Sequence, residues 1–317
     1  MEDAFDPENQ ENSDEDEDDE EMEVEGGVPK AGMISKNGLT WSRTAEETLR
    51  YLPPAIPHPG ITRHAAARIK VLDDTLWFFL TEEIIQILVL ETNREGRLND
   101  ENWRITDVTE IRAFIGLLSL AGLHRARHEA TVNLWGEDTG RPIFRATMSR
   151  KRFDELCINL RFDNRETRRP HDKFAPIRNL WQRWVDRLHM GHNLGENICI
   201  DEQLVSFHGH WSFKQYMPQK PAKYGLKLWV LCNVNTSYAW KMIPYLGKEA
   251  SAAHRRQEGK EVVLELTEGL SGHTITVDNF FTSYDLAMQL QRRKLALVGT
   301  IRRNKPEIPS QLTNTRG

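Results

Sequence analysis

Two aspartates sit where a carboxylate can take part in chemistry. Asp201 lies inside an apolar run, Ile198-Cys199-Ile200-Asp201-Glu202, and Asp278 closes another, Thr274-Ile275-Thr276-Val277-Asp278-Asn279. A carboxylate flanked by strand residues is costly to bury unless something pairs it, and a hard cation is a common partner. If the two runs are neighbouring strands, the carboxylates converge and can help hold the divalent ions of in-line phosphoryl transfer. The simpler reading is that Asp278 caps the next turn and Asp201 pairs with a lysine. Between the two acids, Lys214, Lys220, Lys223 and Lys227 interleave with Tyr216 and Tyr224. That pattern suits a phosphate backbone with bases beside it, or a solvated turn between strands. Arg302, Arg303 and Lys305 form a second basic patch with the same two readings. His208 and His210 have an HxH spacing, but no further ligand stands near them, so a metal is not expected there.

The elements that must position these residues change character near residue 196. Upstream, from about 61 to 195, apolar residues recur at three- and four-residue spacing and predict helices. Thr81 is the expected N-cap of one, with Glu82 and Glu83 in its first turn; a second starts near Thr106 or Thr109; Ser149 caps a third; a fourth includes Leu180 and Leu188. Trp77, Trp181 and Trp184 fall on the apolar positions and are expected to pack in the core. Downstream, 197–207, 227–234 and 238–246 read as strands. They are followed by a helix near 261–270, a strand at 274–277, a helix at 283–292 and a strand at 295–301. The order β-β-β-α-β-α-β predicts an α/β fold with a mixed sheet covered by helices, because parallel additions require crossovers.

Charge divides the chain unevenly. It has 317 residues and a net charge of −5, yet residues 1–25 hold 15 acidic residues and no Lys or Arg. The rest carries 42 basic against 47 − 15 = 32 acidic residues, an excess of +10 suited to a polyanion. The acidic tail is expected to be disordered, either as a solubilising leader or as an intramolecular mimic of nucleic acid. Three scattered cysteines, Cys157, Cys199 and Cys232, argue against a disulfide framework or a zinc module. The stretch Leu76 to Leu90 is interrupted by Glu82 and Glu83, so neither a membrane span nor a secretory leader is expected. The expected division is a disordered tail and linker over 1–38, a helical domain over 39–195 and the sheet domain over 196–317.

The run from Ile200 to Gly247, containing IDEQLVSFHGH, FKQYMPQKPAKYGLKLWVLCNV and YAWKMIPYLGK, resembles the transposase domain of the piggyBac family. So does the run from Ile275 to Pro309, with ITVDNFFTSYDLA and LVGTIRRNKPEIP. Upstream, Glu91-Thr92-Asn93, Phe114-Ile115-Gly116-Leu117 and Asp172-Lys173-Phe174-Ala175-Pro176-Ile177-Arg178 are similar to that family's amino-terminal helical region. The resemblance implies a ribonuclease H-like core that cuts DNA at element ends with three aspartates and a divalent metal such as Mg²⁺, and joins it at TTAA sites. Asp201 matches the first aspartate and Asp278 the second. It further implies a helical domain for DNA binding and homodimerisation, and a nuclear location. Two departures stand out. Phe207-His208-Gly209-His210 replaces the family's FRGR or FKGR, and only 317 − 278 = 39 residues follow Asp278, with no match to the third aspartate. The expectation is therefore a transposase core incomplete at its carboxyl end and impaired or inactive. The alternative is a domesticated, non-catalytic DNA- or chromatin-binding protein.

Overall fold

The computed structural model describes residues 32–42, 56, 58–126, 129–138, 140–169, 171–247 and 258–313. The acidic tail lies outside them. The chain divides into two compact units, Arg63–Gly191 and the described part of Met1–Thr62 with His192–Gly317.

The first unit is helical. Its elements are α1 (Arg63–Arg68), α2 (Leu72–Phe79), α3 (Glu82–Asn99), α4 (Val108–Leu123), α5 (Thr131–Leu134), α6 (Pro142–Thr147), α7 (Arg150–Asn159) and α8 (Ala175–Gly191). The long ones follow the apolar spacing, and the buried side chains of α3, α4 and α7 meet in one core of Ile85, Leu88, Ile111, Phe114, Phe153 and Leu156. Thr81 occupies the N-cap of α3 in extended conformation, but its hydroxyl caps no backbone N–H. Helix α4 is capped by Asp107, whose carboxylate accepts from Glu110 N at 2.8 Å, in place of the expected threonines. A carboxylate facing a helix N-terminus gains from the dipole as well as the hydrogen bond. Ser149 caps α7 as expected, with Oγ accepting from Arg152 N at 3.3 Å. Trp77 packs partly buried on the core, while Trp181 and Trp184 lie ring to ring with centroids 5.6 Å apart. Helices α1, α2, α5 and α6 are too short to leave a clear period in the sequence.

The second unit holds the sheet. A small hairpin, β1 (Met33–Ile34) and β2 (Thr40–Trp41), precedes β3 (Gly60–Ile61), which pairs with β4 (His192–Asn193). The described residues between 39 and 62, expected with the helices, thus belong to the sheet unit, and 33–38, expected as linker, form part of a hairpin. The pairing of β3 with β4 and a hydrogen bond from Trp41 Nε1 to the Glu307 carbonyl at 2.8 Å anchor them. The main sheet comprises β5 (Asn197–Ser206), β6 (Gln215–Tyr216), β7 (Tyr224–Asn233), β8 (Ala239–Pro244), β9 (Thr274–Val277) and β10 (Ala296–Gly299). Its order is β10-β9-β5-β7-β6, with β8 also on β7. Strands β5, β7 and β8 are antiparallel neighbours, and β9 and β10 add in parallel on the other side of β5. Two helices, α9 (Glu258–Leu266) and α10 (Tyr284–Arg292), precede the parallel strands, and α11 (Ser310–Thr313) follows them. Val263 and Leu266 of α9 and Leu286 and Leu290 of α10 pack on Ile198, Ile200, Leu231, Ile275 and Val277. One face of the sheet is therefore covered by helices, as the strand order requires. Among the described residues no helix is long and apolar enough to cross a membrane.

Candidate active site

The parallel register of β5 and β9 sets Ile200 opposite Val277. Both are buried in the core, and the alternation of a strand turns the next residues, Asp201 and Asp278, to the other face side by side. Asp201 Oδ1 accepts from Glu202 N at 2.7 Å. Asp278 Oδ1 accepts from Phe280 N at 3.0 Å, and its carbonyl accepts from Thr282 Oγ1 at 2.7 Å. Asp278 does cap the turn that leads into α10. The lysine pair goes to Glu202 and not to Asp201: Lys220 Nζ lies 2.9 Å from Glu202 Oε1.

Electrostatics join these groups into one cluster. Burial pushes Asp201 above the usual carboxylate range, and the charge of Glu202 adds to the push. Burial likewise raises Asp278, with Glu202 again adding and Arg302 opposing. For Glu202 the pull of Lys220 outweighs burial and holds the carboxyl low. The Lys220 ammonium is raised chiefly by Glu202, with Asp201 and Asp278 contributing. Two carboxylates with too little positive charge near them favour a cation. The donors are hard oxygens only, which suits Mg²⁺, an ion held by one or two carboxylates with water and substrate phosphate completing its shell. Among the described residues no group of three or more His, Cys, Asp or Glu is arranged to hold a metal ion. The pair thus fits such an ion as two of its ligands and does not enclose it. His208 Nε2 lies 3.4 Å from Ser206 Oγ.

The basic residues divide. Lys214 donates to the Gly209 carbonyl at 3.3 Å and faces the Tyr224 ring at 5.8 Å. Lys223 is exposed. Tyr216 and Tyr224 pack on each other, centroids 4.7 Å apart, across the β6–β7 pair. Lys227 departs from the expected DNA contact, being 5% exposed with its ammonium over the rings of Trp229 at 4.3 Å, Tyr245 at 5.3 Å and Phe280 at 5.7 Å. It shares a strand face with Trp229 and Leu231, the face that α9 and α10 cover. Arg302 Nε donates to Asn279 Oδ1 at 3.1 Å, which brings the second basic patch to the turn of Asp278. Arg303 is exposed and Lys305 half-exposed. Glu202 and Asn279 were not singled out in the sequence, although each follows one of the two aspartates. Cys199 and Cys232 stand directly opposite each other on β5 and β7, an arrangement that sequence spacing does not reveal.

The helical unit has an open cavity of about 610 Å³ walled by Arg104, Glu110, Met148 and Arg152. None of these residues lies in the acid cluster.

Residues 76–317 match the family model described as Transposase IS4. The chain is 25% identical over 237 residues to human PiggyBac transposable element-derived protein 3, covering 73% of this chain and 40% of that protein. It is 24% identical over 235 residues to human PiggyBac transposable element-derived protein 2, covering 72% and 39%. A cryo-EM structure of a piggyBac transposase synaptic complex with hairpin DNA matches with a TM-score of 0.74 and 35% identity, over 82% of this chain and 56% of that one. The chain thus spans about two fifths of the length of these human relatives.

Proposed function

Because the chain belongs to the piggyBac-type transposase IS4 family, we propose that its sheet unit is the ribonuclease H-like core of a DNA transposase. In this reading Asp201 and Asp278 are two ligands of a divalent metal used in DNA strand cleavage and transfer. The observation that carries it is the placement of the two exposed aspartates side by side, Asp201 in the middle of β5 and Asp278 directly after the parallel strand β9. The sheet order, three antiparallel strands with two parallel additions behind helices, supports the same reading.

A bound divalent ion would supply a Lewis acid for the scissile phosphate and a water of lowered pKa. The chain's own residues prepare the place. The backbone N–H of Phe280 fixes one Asp278 oxygen, and that of Glu202 fixes one of Asp201. Lys220 holds Glu202, the third carboxylate of the cluster, in an ion pair. Lys214, Lys223, Arg302, Arg303 and Lys305 would bind the phosphates on either side of the scissile bond, where they fix position and not sequence. DNA ends joined at TTAA sites, dimerisation and DNA binding through the helical unit, and a nuclear location all go with this reading.

The test is DNA nicking by the purified chain across a Mg²⁺ titration, with Asp201→Ala and Asp278→Ala and with DNA binding followed in parallel. Mg²⁺-dependent nicking that disappears in both variants while DNA binding is retained is the outcome expected if Asp201 and Asp278 suffice as a pair, and it would overturn the expectation of an inactive core drawn from the unmatched third aspartate. Binding without nicking by the wild-type chain would overturn the catalytic reading and leave a domesticated DNA- or chromatin-binding protein.

A further inference from the structure

Cys199 and Cys232 face each other across the antiparallel pair β5–β7. Both are free thiols and half-buried. Directly opposed residues of an antiparallel pair have Cβ atoms about 4.5–5.5 Å apart, whereas a disulfide needs about 3.8 Å. Closing the bond therefore takes a shift of an ångström or so between strands held together along nine register positions, from Ile198↔Asn233 to Ser206↔Gly225. A disulfide made against such resistance is the strained, easily reduced kind that serves as a labile site and not as a staple. It would form on the same strand and face as Asp201, two residues away.

We propose that Cys199 and Cys232 are a reversible thiol–disulfide site that responds to low-molecular-weight disulfides of the glutathione class. One thiolate attacks a sulfur of the oxidised disulfide, forming a mixed disulfide and releasing one small thiol. The opposing cysteine then attacks the protein sulfur of that mixed disulfide and displaces the second small thiol. The two protein thiols lose two electrons and two protons in total, and the small disulfide is reduced to two thiols. The second step is intramolecular between side chains already in register, so it outruns accumulation of the mixed disulfide. Cys157, on α7, is exposed and provides the comparison within the same chain.

The full chain is equilibrated in glutathione buffers of graded ratio, quenched by alkylation and mapped by mass spectrometry without reduction. The expected result is a cross-linked pair of peptides carrying Cys199 and Cys232, short by two hydrogens, that grows as the ratio of oxidised to reduced glutathione rises, while Cys157 carries only a glutathione adduct. Excess dithiothreitol returns both thiols. Cys199→Ser and Cys232→Ser each stop at a mixed disulfide on the remaining cysteine, and circular dichroism checks that they fold. Thiols that remain free, carry only glutathione adducts, or link only between chains in wild type would overturn the proposal. None of these readouts depends on DNA or metal, so failure here leaves the transposase reading untouched.

Discussion

Arg152 shows how one charged residue holds a helical fold together. It is almost fully buried, and its guanidinium donates to both carboxylate oxygens of Glu110, at 2.9 and 2.7 Å, and to the Arg104 carbonyl at 2.7 Å. It also lies 4.5 Å from the centroid of the Trp103 ring. Burial works to raise Glu110, but the bonds from Arg152 overcome it and hold the carboxyl below its ordinary 4.5. A carboxyl lowered on folding stabilises fully above the unfolded value and loses that contribution as pH falls through the lower folded value. Glu110→Gln should therefore cost about 1.5 kcal/mol near neutral pH, the value of a charge-assisted hydrogen bond, since Arg152 keeps Glu155 at 3.3 Å and the Arg104 carbonyl. It should also flatten the loss of stability below pH 4.5, which urea unfolding at several pH values will show. The lysines between the two aspartates make a second contrast at this scale. Lys223→Ala should reduce the slope of log K against log salt for duplex DNA by about 0.9, the value for one phosphate contact. Lys227→Ala should leave the slope unchanged and lower the thermal midpoint, because its ammonium is enclosed by aromatic rings. A salt titration of both variants separates the two roles. The distinction was within reach of the sequence, since Lys227, Trp229 and Leu231 alternate on one strand face, but a basic run between tyrosines gave the stronger local signal.

Gly96 on α3 shows how a single position fixes an element against its neighbour. A Cβ there would run into the Trp103 ring, whose Nε1 donates to Asn93 Oδ1 at 3.0 Å. Asn93 in turn donates to the Thr106 carbonyl at 2.8 Å and accepts from Thr106 N at 2.8 Å, so the loop from α3 to α4 is clamped onto α3 through that ring. Gly96→Ala should cost about 2 kcal/mol by overpacking, despite the better helix propensity of alanine, and a lowered thermal midpoint will record it. The contact joins residues seven positions apart and has no periodic signature. Periodic elements were legible: strand 274–277 has the expected bounds, and Ser283 caps α10 by accepting from Leu286 N at 3.2 Å. The short elements β1, β2, α1 and α2 were not, because none of them repeats an apolar pattern. The acids of the candidate site were legible as residues in strand-like runs. Their adjacency, like the facing of Cys199 and Cys232, depends on which strands pair and in what register, and that is fixed by packing across the sheet.

For the molecule as a whole, the uneven charge sets the terms of any encounter with nucleic acid. Residues 26–317 carry +10, and residues 1–25 carry −15. A chain with both can meet a polyanion only in competition with its own acidic segment, so the segment should act as a tethered competitor whose strength falls with salt. A purely solvating leader would repel DNA weakly and non-selectively instead. The two differ in where the effect resides. Deleting residues 1–25 should tighten binding to a random duplex severalfold at about 50 mM salt and by much less at about 200 mM, where counterion release has already weakened every phosphate contact. If the segment competes for the basic residues beside the aspartates, Lys223→Ala combined with Arg303→Ala should shrink the gain from deletion, because fewer cations remain to be uncovered. If the gain is the same in both backgrounds, the segment acts on charge elsewhere in the molecule. Duplex affinities of the four chains at the two salt levels decide between these outcomes, and they do so without requiring that the chain cut DNA.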